Sequence, residues 1–442
     1  MKKGTFLGGV HPFDGKELSK SKPITTLSPK GEMVFPLSQH IGAAATSLVK
    51  PGDSVLVGQK IAEAQGFISA NIISSVSGTV KAIEPRLTTS GVMTESIIIE
   101  NDGEYKKIDG FGVERDFTKL SKDEIRAIIK EAGIVGMGGA AFPTHVKLTP
   151  RDDASITHVI INAAECEPYL TSDYRMMLEE PQNLITGLKV ILSLFDNAKG
   201  VIAIEDNKPD CIETLDKLLT DDDRNKISVM PLKAKYPQGA ERNLIYAVTG
   251  KKINSKMLPA DAGVIVNNVD TVISVKNAVC NNIPLIRRII TVTGDAIVNP
   301  QNFSVPTGTC YQELIDAAGG FKSTPEKIIS GGPMMGTALF TTAIPVTKNS
   351  SAILALTKDE VADKPETPCI RCGRCVSVCP SRLIPQRLQE YSNRFDNEAF
   401  EKNYGMECYE CGSCTFVCPA GRKLTQSFKE TRKSIIAQRK KK

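Results

Sequence analysis

Eight of the twelve cysteines in this 442-residue chain lie between residues 369 and 418, in two runs of the same spacing. Each run has the pattern Cys-x2-Cys-x2-Cys-x3-Cys-Pro; the first ends at Pro380 and the second at Pro419. This spacing is typical of proteins with two 4Fe–4S clusters, in which three neighbouring thiolates hold one cluster and the cysteine before the proline holds the other. Zinc sites, the alternative, usually take two CxxC pairs for each ion. The runs therefore predict two iron–sulfur clusters.

The same rule divides the eight cysteines between the two clusters. Because 28 residues with a helical pattern near 385–391 separate the runs, we expect a helical, ferredoxin-like domain with two clusters. Two clusters in sequence form an electron path, which needs a donor and an acceptor. We expect one cluster to be held by Cys369, Cys372, Cys375 and Cys418, and the other by Cys408, Cys411, Cys414 and Cys379.

A glycine-rich segment, Gly136-Met137-Gly138-Gly139-Ala140-Ala141, is a second candidate for chemistry. It fits the dinucleotide-binding pattern G-x-G-x-x-A, in which glycines let the backbone approach a phosphate closely. A helical pattern precedes this segment, however, where the dinucleotide motif requires a strand. Taken alone, the segment is equally compatible with a flexible loop.

Strands and helices alternate around this segment. A capping box at Ser121 and Glu124 begins a helix that ends at Gly133. The βαβα alternation that follows indicates a mostly parallel, doubly wound, Rossmann-like sheet. The predicted strands lie near 156–161, 201–204, 227–230 and 263–266, and the predicted helices near 181–195, 210–219, 240–248 and 271–279.

Polar residues follow all four predicted strands. In open parallel sheets, ligands bind beyond the carboxyl ends of the strands. A carboxylate taken alone is most often a solvated loop residue, but here four polar groups meet at one edge, beside the glycine-rich segment and Lys147. We therefore expect a ligand site at this edge. The groups are at 162–168, 205–206, 239–241 and 267–270.

The regions on either side of this sheet are expected to be structural or docking domains. Residues 1–115 contain short strands with glycine and proline turns and resemble the barrel-sandwich fold of lipoyl and biotinyl carrier domains. Phe67 stands where those carriers have their modified lysine, so no swinging arm is expected. Residues 286–350 resemble the soluble-ligand-binding β-grasp module. The predicted division of this multidomain α/β chain is 1–115, 116–285, 286–350, 360–421 for the cluster domain and 422–442 for a basic tail.

Two longer motifs extend the glycine-rich segment into a family resemblance. Together with Phe142, Pro143 and Lys147, the segment resembles the NADH-binding flavoprotein of respiratory complex I, as do the motifs at 162–168 and 267–271. Over nearly its whole length, including the stretch 8–12 and the doubled cysteine run, the chain resembles the C subunits of Rnf complexes. Those membrane complexes couple electron flow between ferredoxin and NAD to ion translocation.

The resemblance implies which residues contact the cofactors. Hydride exchange between NAD(H) and FMN needs no protein base, so His145 and His158 are expected to be structural. Single electrons would then pass to the clusters and to a partner subunit. The implied FMN contacts are Gly136, Gly138, Gly139, Lys147, Asn162, Glu165, Asn267 and Asn268. The implied NAD(H) contacts are Phe142, Glu167 and Glu241.

Two positions depart from the complex I pattern. That pattern has an arginine where this chain has Met137, and a double glutamate where this chain has Ala240-Glu241. We expect that one flavin or nucleotide contact is lost or replaced here. Two other families share parts of the architecture: the cobalamin reductases of bacterial microcompartments, and the non-catalytic A subunit of sodium-pumping NADH:quinone reductase. The eight cluster cysteines argue against the second.

Positive charge is concentrated at the C-terminus. The formal net charge is +5, but residues 422–442 contain nine Lys or Arg and one acid, so the rest of the chain is slightly acidic. With no Trp, such a chain is not expected to bind nucleic acid. We expect neither a signal peptide nor a membrane-spanning segment.

These features predict a peripheral subunit at the cytoplasmic face of the cell membrane. Its expected partners are the other subunits of the complex, an iron–sulfur subunit among them, and ferredoxin indirectly. The basic tail is expected either to be a solvated terminus or to dock the protein onto the membrane arm or anionic lipid. Removal of residues 422–442 is expected to leave the flavin and the clusters in place.

Overall fold

The computed structural model describes residues 3–441 of the chain. The first 101 residues contain two antiparallel sheets that enclose one apolar core, which includes Phe35, Ile61 and Ile97. Phe67 lies in the loop between two strands of the smaller sheet and is exposed. The strands of this region are β1 (Thr25–Thr26), β2 (Met33–Pro36), β3 (Thr46–Ser47), β4 (Ser54–Val55), β5 (Lys60–Glu63), β6 (Ile72–Ile73), β7 (Gly78–Leu87) and β8 (Met93–Asn101).

Four parallel strands form the next sheet, in the order β11-β10-β9-β12. Its strands are β9 (His158–Ala163), β10 (Lys199–Glu205), β11 (Ile227–Leu232) and β12 (Val264–Asn268). Its helices are α1 (Lys122–Glu131), α2 (Thr144–Lys147), α3 (Ser172–Glu179), α4 (Pro181–Leu192), α5 (Pro209–Leu218), α6 (Asp221–Arg224), α7 (Glu241–Thr249) and α8 (Val269–Asn281).

Helices cover both faces of this parallel sheet. On one face, α4 and α8 pack on strand residues such as Ile161 and Ile202. On the other, Leu244 and Ile245 of α7 pack on Ile160. A parallel sheet needs both faces covered because both are apolar. The capping box of α1 is present as predicted.

A six-stranded mixed sheet follows, in the order β1-β14-β13-β17-β15-β16. It extends beyond the predicted 286–350 module at both ends, because β1 of the N-terminal region pairs with β14 and because β17 lies after residue 350. Pairing between distant segments leaves no local sequence signal, so neither strand could be assigned beforehand. The elements are β13 (Arg287–Thr293), β14 (Gln301–Pro306), α9 (Tyr311–Ala317), β15 (Lys327–Ser330), β16 (Thr337–Leu339) and β17 (Ala352–Leu356).

The cysteine region is helical, as predicted. Its helices are α10 (Glu360–Asp363), α11 (Arg374–Val378), α12 (Pro385–Asn393), α13 (Asn397–Lys402), α14 (Ser413–Phe416) and α15 (Leu424–Lys441). No helix within residues 3–441 combines the length and the apolar character that crossing a membrane requires.

The C-terminal helix α15 packs into the cysteine region, in contrast to the separate tail that the charge pattern predicts. Leu424, Phe428 and Ile435 are buried, and the Phe428 ring lies 6.0 Å from that of Phe400. Ile436, the next residue on α15, is exposed. The apolar face is therefore used inside the protein, and removal of the tail would open this core.

An N-terminal strap, residues 4–20, crosses several parts of the molecule. Gly4 bridges to Leu232 at the outer edge of the parallel sheet. The Gly9 N–H donates to the Val378 carbonyl in the cysteine region (2.8 Å). Lys16, at the end of the strap, is buried beneath the loop that follows β9. The strap therefore ties the cysteine region to the parallel-sheet domain.

Lys348 lies where three regions meet. Its Nζ donates hydrogen bonds to the carbonyl oxygens of Gly133 (2.7 Å) and Asn71, and its backbone N–H donates to Gln39 Oε1 (3.1 Å). In the described part of the chain this ammonium has no carboxylate partner, and burial lowers its pKa to about 7. The contact between these three regions therefore includes the hydrogen bonds of one buried lysine.

We predict that Phe428→Ala destabilises the cysteine region. Truncation of a buried phenylalanine leaves a cavity and costs about 3–5 kcal/mol, so the thermal midpoint and the bound iron per chain should both fall. Ile436→Ala on the same helix removes an exposed side chain and should change stability by less than about 0.5 kcal/mol. Equal midpoints for the two variants would contradict the packing of α15.

Candidate functional site

One large cleft lies at the carboxyl ends of the parallel strands. Its volume is about 1990 Å³, larger than the ~300–1,000 Å³ of a typical site for one small ligand. The glycine-rich segment, the ends of β9 and β12 and the start of α7 line it. Its wall also includes Cys408, Tyr409 and Cys411. The cleft therefore brings two sequence-predicted sites, the glycine loop and the cysteines, to one space.

Ten of the eleven predicted cofactor contacts line this cleft. The exception is Asn267, whose amide is buried and, among residues 3–441, has no hydrogen-bond partner for either its nitrogen or its oxygen. A buried polar group without a partner costs about 1–3 kcal/mol. The ten lining residues are Gly136, Gly138, Gly139, Phe142, Lys147, Asn162, Glu165, Glu167, Glu241 and Asn268.

The glycine loop is a tight turn after α1. The Gly136 N–H donates to the Phe142 carbonyl oxygen (2.8 Å) and closes the turn. A Cβ atom on Gly138 would lie 2.9 Å from the Cβ of Asn268, whereas a Cβ on Gly139 would meet no atom of the described residues within 4 Å. Gly138 is therefore required for packing, and Gly139 leaves open space in the cleft.

A buried arginine that sequence reasoning missed lies beside this loop. Arg288, on β13, donates from Nη1 to the Met137 sulfur (2.8 Å) and forms an ion pair with Asp270. The Met137 N–H donates to the Thr271 hydroxyl oxygen (2.9 Å). Met137 is the position where the complex I pattern has an arginine. A guanidinium group thus reaches the loop from a strand about 150 residues further along the chain.

Lys147 provides a cation at the cleft. Its Nζ donates to the Val266 carbonyl oxygen (2.8 Å) at the free edge of β12. Burial lowers the pKa of Lys147, and the nearby carboxylate of Glu241, at the start of α7, partly opposes that shift. The pair places one positive and one negative group in the same cleft.

Two carboxylates of the cleft lining, Glu165 and Asp173, lie close together. Glu165 Oε1 accepts from the Asp173 backbone N–H (2.7 Å) near the start of α3. Glu165 Oε2 lies 3.7 Å from Lys16 Nζ and has no hydrogen-bond partner in the part of the chain that the structure describes. Burial and the neighbouring Glu165 and Asp270 raise the pKa of Asp173 to about 8. Asn268 Nδ2 donates to Asp173 (2.7 Å). Lys16 and Asp173 had no local sequence signal.

Asn162 is held by the neighbouring strand end. Its Nδ2 donates to the Gly239 carbonyl oxygen (2.9 Å), just before α7. Two polar groups of this region lack hydrogen-bond partners among the described residues: Glu165 Oε2 and the Asn267 amide. The space beside Gly139 is open. This donor and acceptor set fits a polar ligand that presents several hydrogen-bonding atoms.

Glu167 is bound by a loop of the six-stranded sheet. Its carboxylate accepts from the backbone N–H groups of Met335 (2.9 Å) and Met334 (3.2 Å), in the 331–336 loop between β15 and β16. Burial raises the pKa of Glu167 to about 7, although these two N–H groups favour the ionised form. The predicted nucleotide contact is therefore engaged by the protein itself in this conformation.

The structure divides the eight cysteines into two groups. The first group, with Cys369 and Cys372 exposed, lines a hollow at the surface, whereas the second group is more deeply buried and borders the cleft. Within residues 3–441, no three His, Cys, Asp or Glu side chains surround a single metal-ion position. The first group is Cys369, Cys372, Cys375 and Cys418. The second is Cys379, Cys408, Cys411 and Cys414.

The two cysteine runs fold in the same way locally. Arg371 and Glu410, each between the first two cysteines of its run, have positive φ angles of 55° and 57°. Their backbone N–H groups donate to the sulfurs of Cys369 (3.4 Å) and Cys408 (3.3 Å). Hydrogen bonds to sulfur tune cluster potentials. The sequence repeat is therefore also a structural repeat.

A buried tyrosine joins the second cysteine group to the cleft. The Tyr236 hydroxyl donates to the Cys411 carbonyl oxygen (2.7 Å), and the Tyr236 ring packs with Val10, Cys166 and Met334. Tyr236, Cys166 and Cys411 all line the cleft. Together with the contacts of Arg242 and Ser255 to Glu407, this hydrogen bond positions the cysteine region against the parallel-sheet domain.

Comparison with known proteins identifies the family. Four family models match: the RnfC barrel sandwich hybrid domain at residues 4–104, the Nuo51 FMN-binding domain at 129–277, the SLBB domain at 289–338 and the 4Fe–4S dicluster domain at 368–423. The C subunit of the Na⁺-translocating ferredoxin:NAD⁺ oxidoreductase complex of Acetobacterium woodii is 46% identical over 445 residues, covering 100% of this chain and 99% of the relative. The chain belongs to the RnfC family.

Other members of the RnfC family are also similar. The C subunit of the proton-translocating ferredoxin:NAD⁺ oxidoreductase complex of Clostridium ljungdahlii is 46% identical, over 87% of this chain and 83% of the relative. The C subunit of the ion-translocating oxidoreductase complex of Rhodobacter capsulatus is 40% identical, over 89% and 76%. A solved NAD⁺-reducing [NiFe]-hydrogenase is similar at a TM-score of 0.49 and 18% identity, over 72% of this chain and 61% of that chain.

Family membership confirms the resemblance found in the sequence. The chain is a subunit of an Rnf-type oxidoreductase complex, and it contains an FMN-binding domain and a 4Fe–4S domain. The roles of individual residues remain predictions.

We predict that the stability contribution of Glu167 depends on pH. Its folded pKa of about 7 lies above the ordinary 4.5, so the folded state binds more protons than the unfolded state between these values. Wild-type stability should therefore fall, relative to Glu167→Gln, as pH rises from about 5 to about 8. Thermal midpoints measured across this range would check the sign.

Glu114→Gln, at an exposed position, is the matched control for this series. Its midpoint should follow the wild type at every pH. A constant difference between wild type and Glu167→Gln would contradict the raised pKa.

Proposed function

We propose that this chain is the electron-transfer subunit of a ferredoxin:NAD⁺ oxidoreductase complex that exchanges hydride between NAD(H) and FMN and passes single electrons through two 4Fe–4S clusters. One observation carries the proposal: the glycine loop with its polar partners and the second cysteine group border the same cleft. A carrier that accepts electron pairs and carriers that accept single electrons must lie close together for electrons to pass between them. The relatives' names, which include ferredoxin and NAD⁺, support the same reaction.

FMN, when bound, would accept electrons in pairs and release them singly. Gly136, Gly138 and Gly139 would let the backbone approach it, and Lys147 would balance its phosphate charge. Hydrogen-bonding side chains would bind its polar atoms. Those atoms would supply the partners that Glu165 Oε2 and the Asn267 amide lack in the protein alone. These side chains are Asn162, Glu165, Asn267 and Asn268.

NAD(H) would enter from the open side of the cleft, where Phe142 and the exposed Glu241 lie. Glu167 would take part only after the 331–336 loop releases its carboxylate. The loop therefore controls one predicted nucleotide contact. Because the flavin carries the hydride chemistry, we assign no side chain as a catalytic base.

The eight cysteines suit two 4Fe–4S clusters with exchanged fourth ligands. Cys379 lies with the second run and Cys418 lines the hollow of the first. The second group would exchange electrons with the cleft, because Cys408 and Cys411 border it. The first group would exchange electrons with a partner, because Cys369 and Cys372 reach the surface.

The finer assignments of fold and location belong to the same proposal. We infer a Rossmann-like FMN domain, a β-grasp module and a ferredoxin-like helical domain, divided near residues 115, 285 and 360. The protein would be peripheral at the cytoplasmic face of the cell membrane, beside an iron–sulfur subunit and with ferredoxin as an indirect partner. Since the apolar face of α15 is buried, the exposed lysines of that helix are what it offers to a membrane surface.

We predict that valine substitutions at two neighbouring glycines have different effects. Gly139→Val fills open cleft space and should weaken FMN binding by at least about tenfold with an unchanged thermal midpoint. Gly138→Val clashes with Asn268, so flavin binding and the midpoint should both fall. Flavin fluorescence titration and calorimetry measure the two effects. Wild-type FMN affinity in Gly139→Val would contradict the site.

We also predict exchanged cluster ligation. If Cys379 serves the second group, the electron paramagnetic resonance spectrum of reduced Cys379→Ala should match that of Cys411→Ala and differ from that of Cys372→Ala. Iron should fall from about eight to about four atoms per chain in each variant. Cys310→Ala, outside both groups, is the control. A Cys379→Ala spectrum that matches Cys372→Ala would instead indicate ligation within each run.

A further inference from the structure

The N-terminal domain contributes one large apolar side chain to the wall of the cleft. Phe67, in the loop between β5 and β6, lines the cleft and is 69% exposed. Scattered apolar residues are normal on protein surfaces, but this phenylalanine lies in a cleft that the predicted cofactor contacts also line. An exposed aromatic ring in such a place offers a flat apolar face to a ligand.

Hydrogen bonds hold the loop around Phe67 in one shape. The Gln65 N–H donates to Ser69 Oγ (3.0 Å), and the Ser69 hydroxyl donates to the Ala43 carbonyl oxygen (2.9 Å). Gly66 has a φ angle of 74°, which permits the turn. The loop therefore sets the position of Phe67, and a ring that is already in place loses little entropy when a ligand binds.

The same loop is joined to the segment that leads into the glycine-rich turn. Asn71 Nδ2 donates to the carbonyl oxygen of Glu131 (3.3 Å), the last residue of α1. Lys348 Nζ donates both to the Asn71 carbonyl oxygen and to that of Gly133 (2.7 Å). These contacts hold the Phe67 loop beside the glycine-rich segment.

Phe67 and the predicted nucleotide contact Phe142 border the same part of the cleft. The His145 ring, on α2, lies beside the backbone of Phe67. His145 comes three residues after Phe142 in the chain, and both phenylalanines line the cleft. Two aromatic rings in one part of a cleft favour a ligand that has a flat aromatic ring of its own.

Of the two rings of NAD(H), adenine fits this position. Hydride exchange requires the nicotinamide ring to lie against the flavin, beside the glycine-rich segment. The adenine ring is at the other end of the dinucleotide and therefore lies further toward the open side of the cleft, where Phe67 is exposed. Nucleobases stack on aromatic side chains because every base has a π face.

We propose that Phe67 stacks on the adenine ring of NAD(H), so that the N-terminal barrel-sandwich domain forms part of the nucleotide site. This inference rests on the proposed function, since it assumes that NAD(H) binds in this cleft. Phe67 stands where the carrier domains have their modified lysine. The same loop thus presents a fixed aromatic ring here, in place of a swinging arm.

The test measures the affinity of ADP-ribose, which has the adenine end of NAD(H) and no nicotinamide, for the full chain loaded with FMN and clusters. By isothermal titration calorimetry, Phe67→Ala should weaken binding by about tenfold or more, because the stacking contact is lost. Phe67→Tyr keeps the ring and should stay within about twofold of the wild type. Phe395→Ala removes an exposed ring in the cysteine region; it is the matched control and should bind like the wild type.

Reduced nicotinamide mononucleotide, which lacks the adenylate, distinguishes the two ends of the dinucleotide. With ferricyanide as the electron acceptor, Phe67→Ala should raise the KM for NADH by about tenfold and leave the KM for the mononucleotide unchanged. An equal rise in both KM values would place Phe67 against the nicotinamide and overturn the proposal. Equal ADP-ribose affinity in the wild type and Phe67→Ala would overturn it as well.

Flavin affinity and the thermal midpoint separate this proposal from the proposed function. Because Phe67 is exposed, Phe67→Ala should keep the wild-type midpoint and the wild-type affinity for FMN. Weaker FMN binding in Phe67→Ala would place the ring against the flavin and contradict the stacking on adenine. A flavin-loaded wild type that binds neither NADH nor ADP-ribose would contradict the proposed function itself, whereas nucleotide binding that Phe67→Ala leaves unchanged would contradict the role of Phe67 alone.

Discussion

The hydrogen bond from the Tyr236 hydroxyl to the Cys411 carbonyl oxygen joins the cleft of the parallel-sheet domain to the cysteine region. Electron transfer weakens steeply with distance, so the position of the cysteine region against the cleft decides whether the two can work together. Val10 of the strap and Met334 of the 331–336 loop pack against the same tyrosine. The strap, the 331–336 loop and the cysteine region therefore all pack around Tyr236, next to the cleft.

Buried cations lie at the other contacts between regions. Lys348 donates to carbonyl oxygens of two other regions, Lys16 lies beneath the loop after β9, and Arg288 reaches the glycine loop from β13. Removing a charge from water is costly unless its hydrogen bonds are made in one geometry. These residues therefore add little to the free energy of unfolding. They favour one arrangement of the domains around the cleft over others.

Local patterns in the sequence predicted most of the fold, and long-range pairing accounts for what was missed. The capping box at Ser121 and the βα alternation depend on neighbours in the chain, so the sequence contains their signals. The pairing of β1 with β14, the burial of Phe428 and the approach of Arg288 to Met137 depend on residues far apart in sequence. Charge alone made α15 resemble a free tail, because the apolar partners of its inner face lie on other helices.

The N-terminal strap has a consequence for the timing of synthesis. Gly9 bonds to Val378, and β1 completes a sheet whose other strands begin at residue 287. At a ribosomal rate of about 5–20 residues per second, Gly9 waits roughly 20–70 s for its partner. The parallel-sheet domain is complete once residue 281 has been synthesised, and from then on the inner side of its cleft has no cysteine region to cover it until residues 369–418 follow. The nascent chain therefore exposes apolar surface near Tyr236 while the 175 residues from Tyr236 to Cys411 are synthesised, and chaperones that bind unfinished proteins would recognise such a surface.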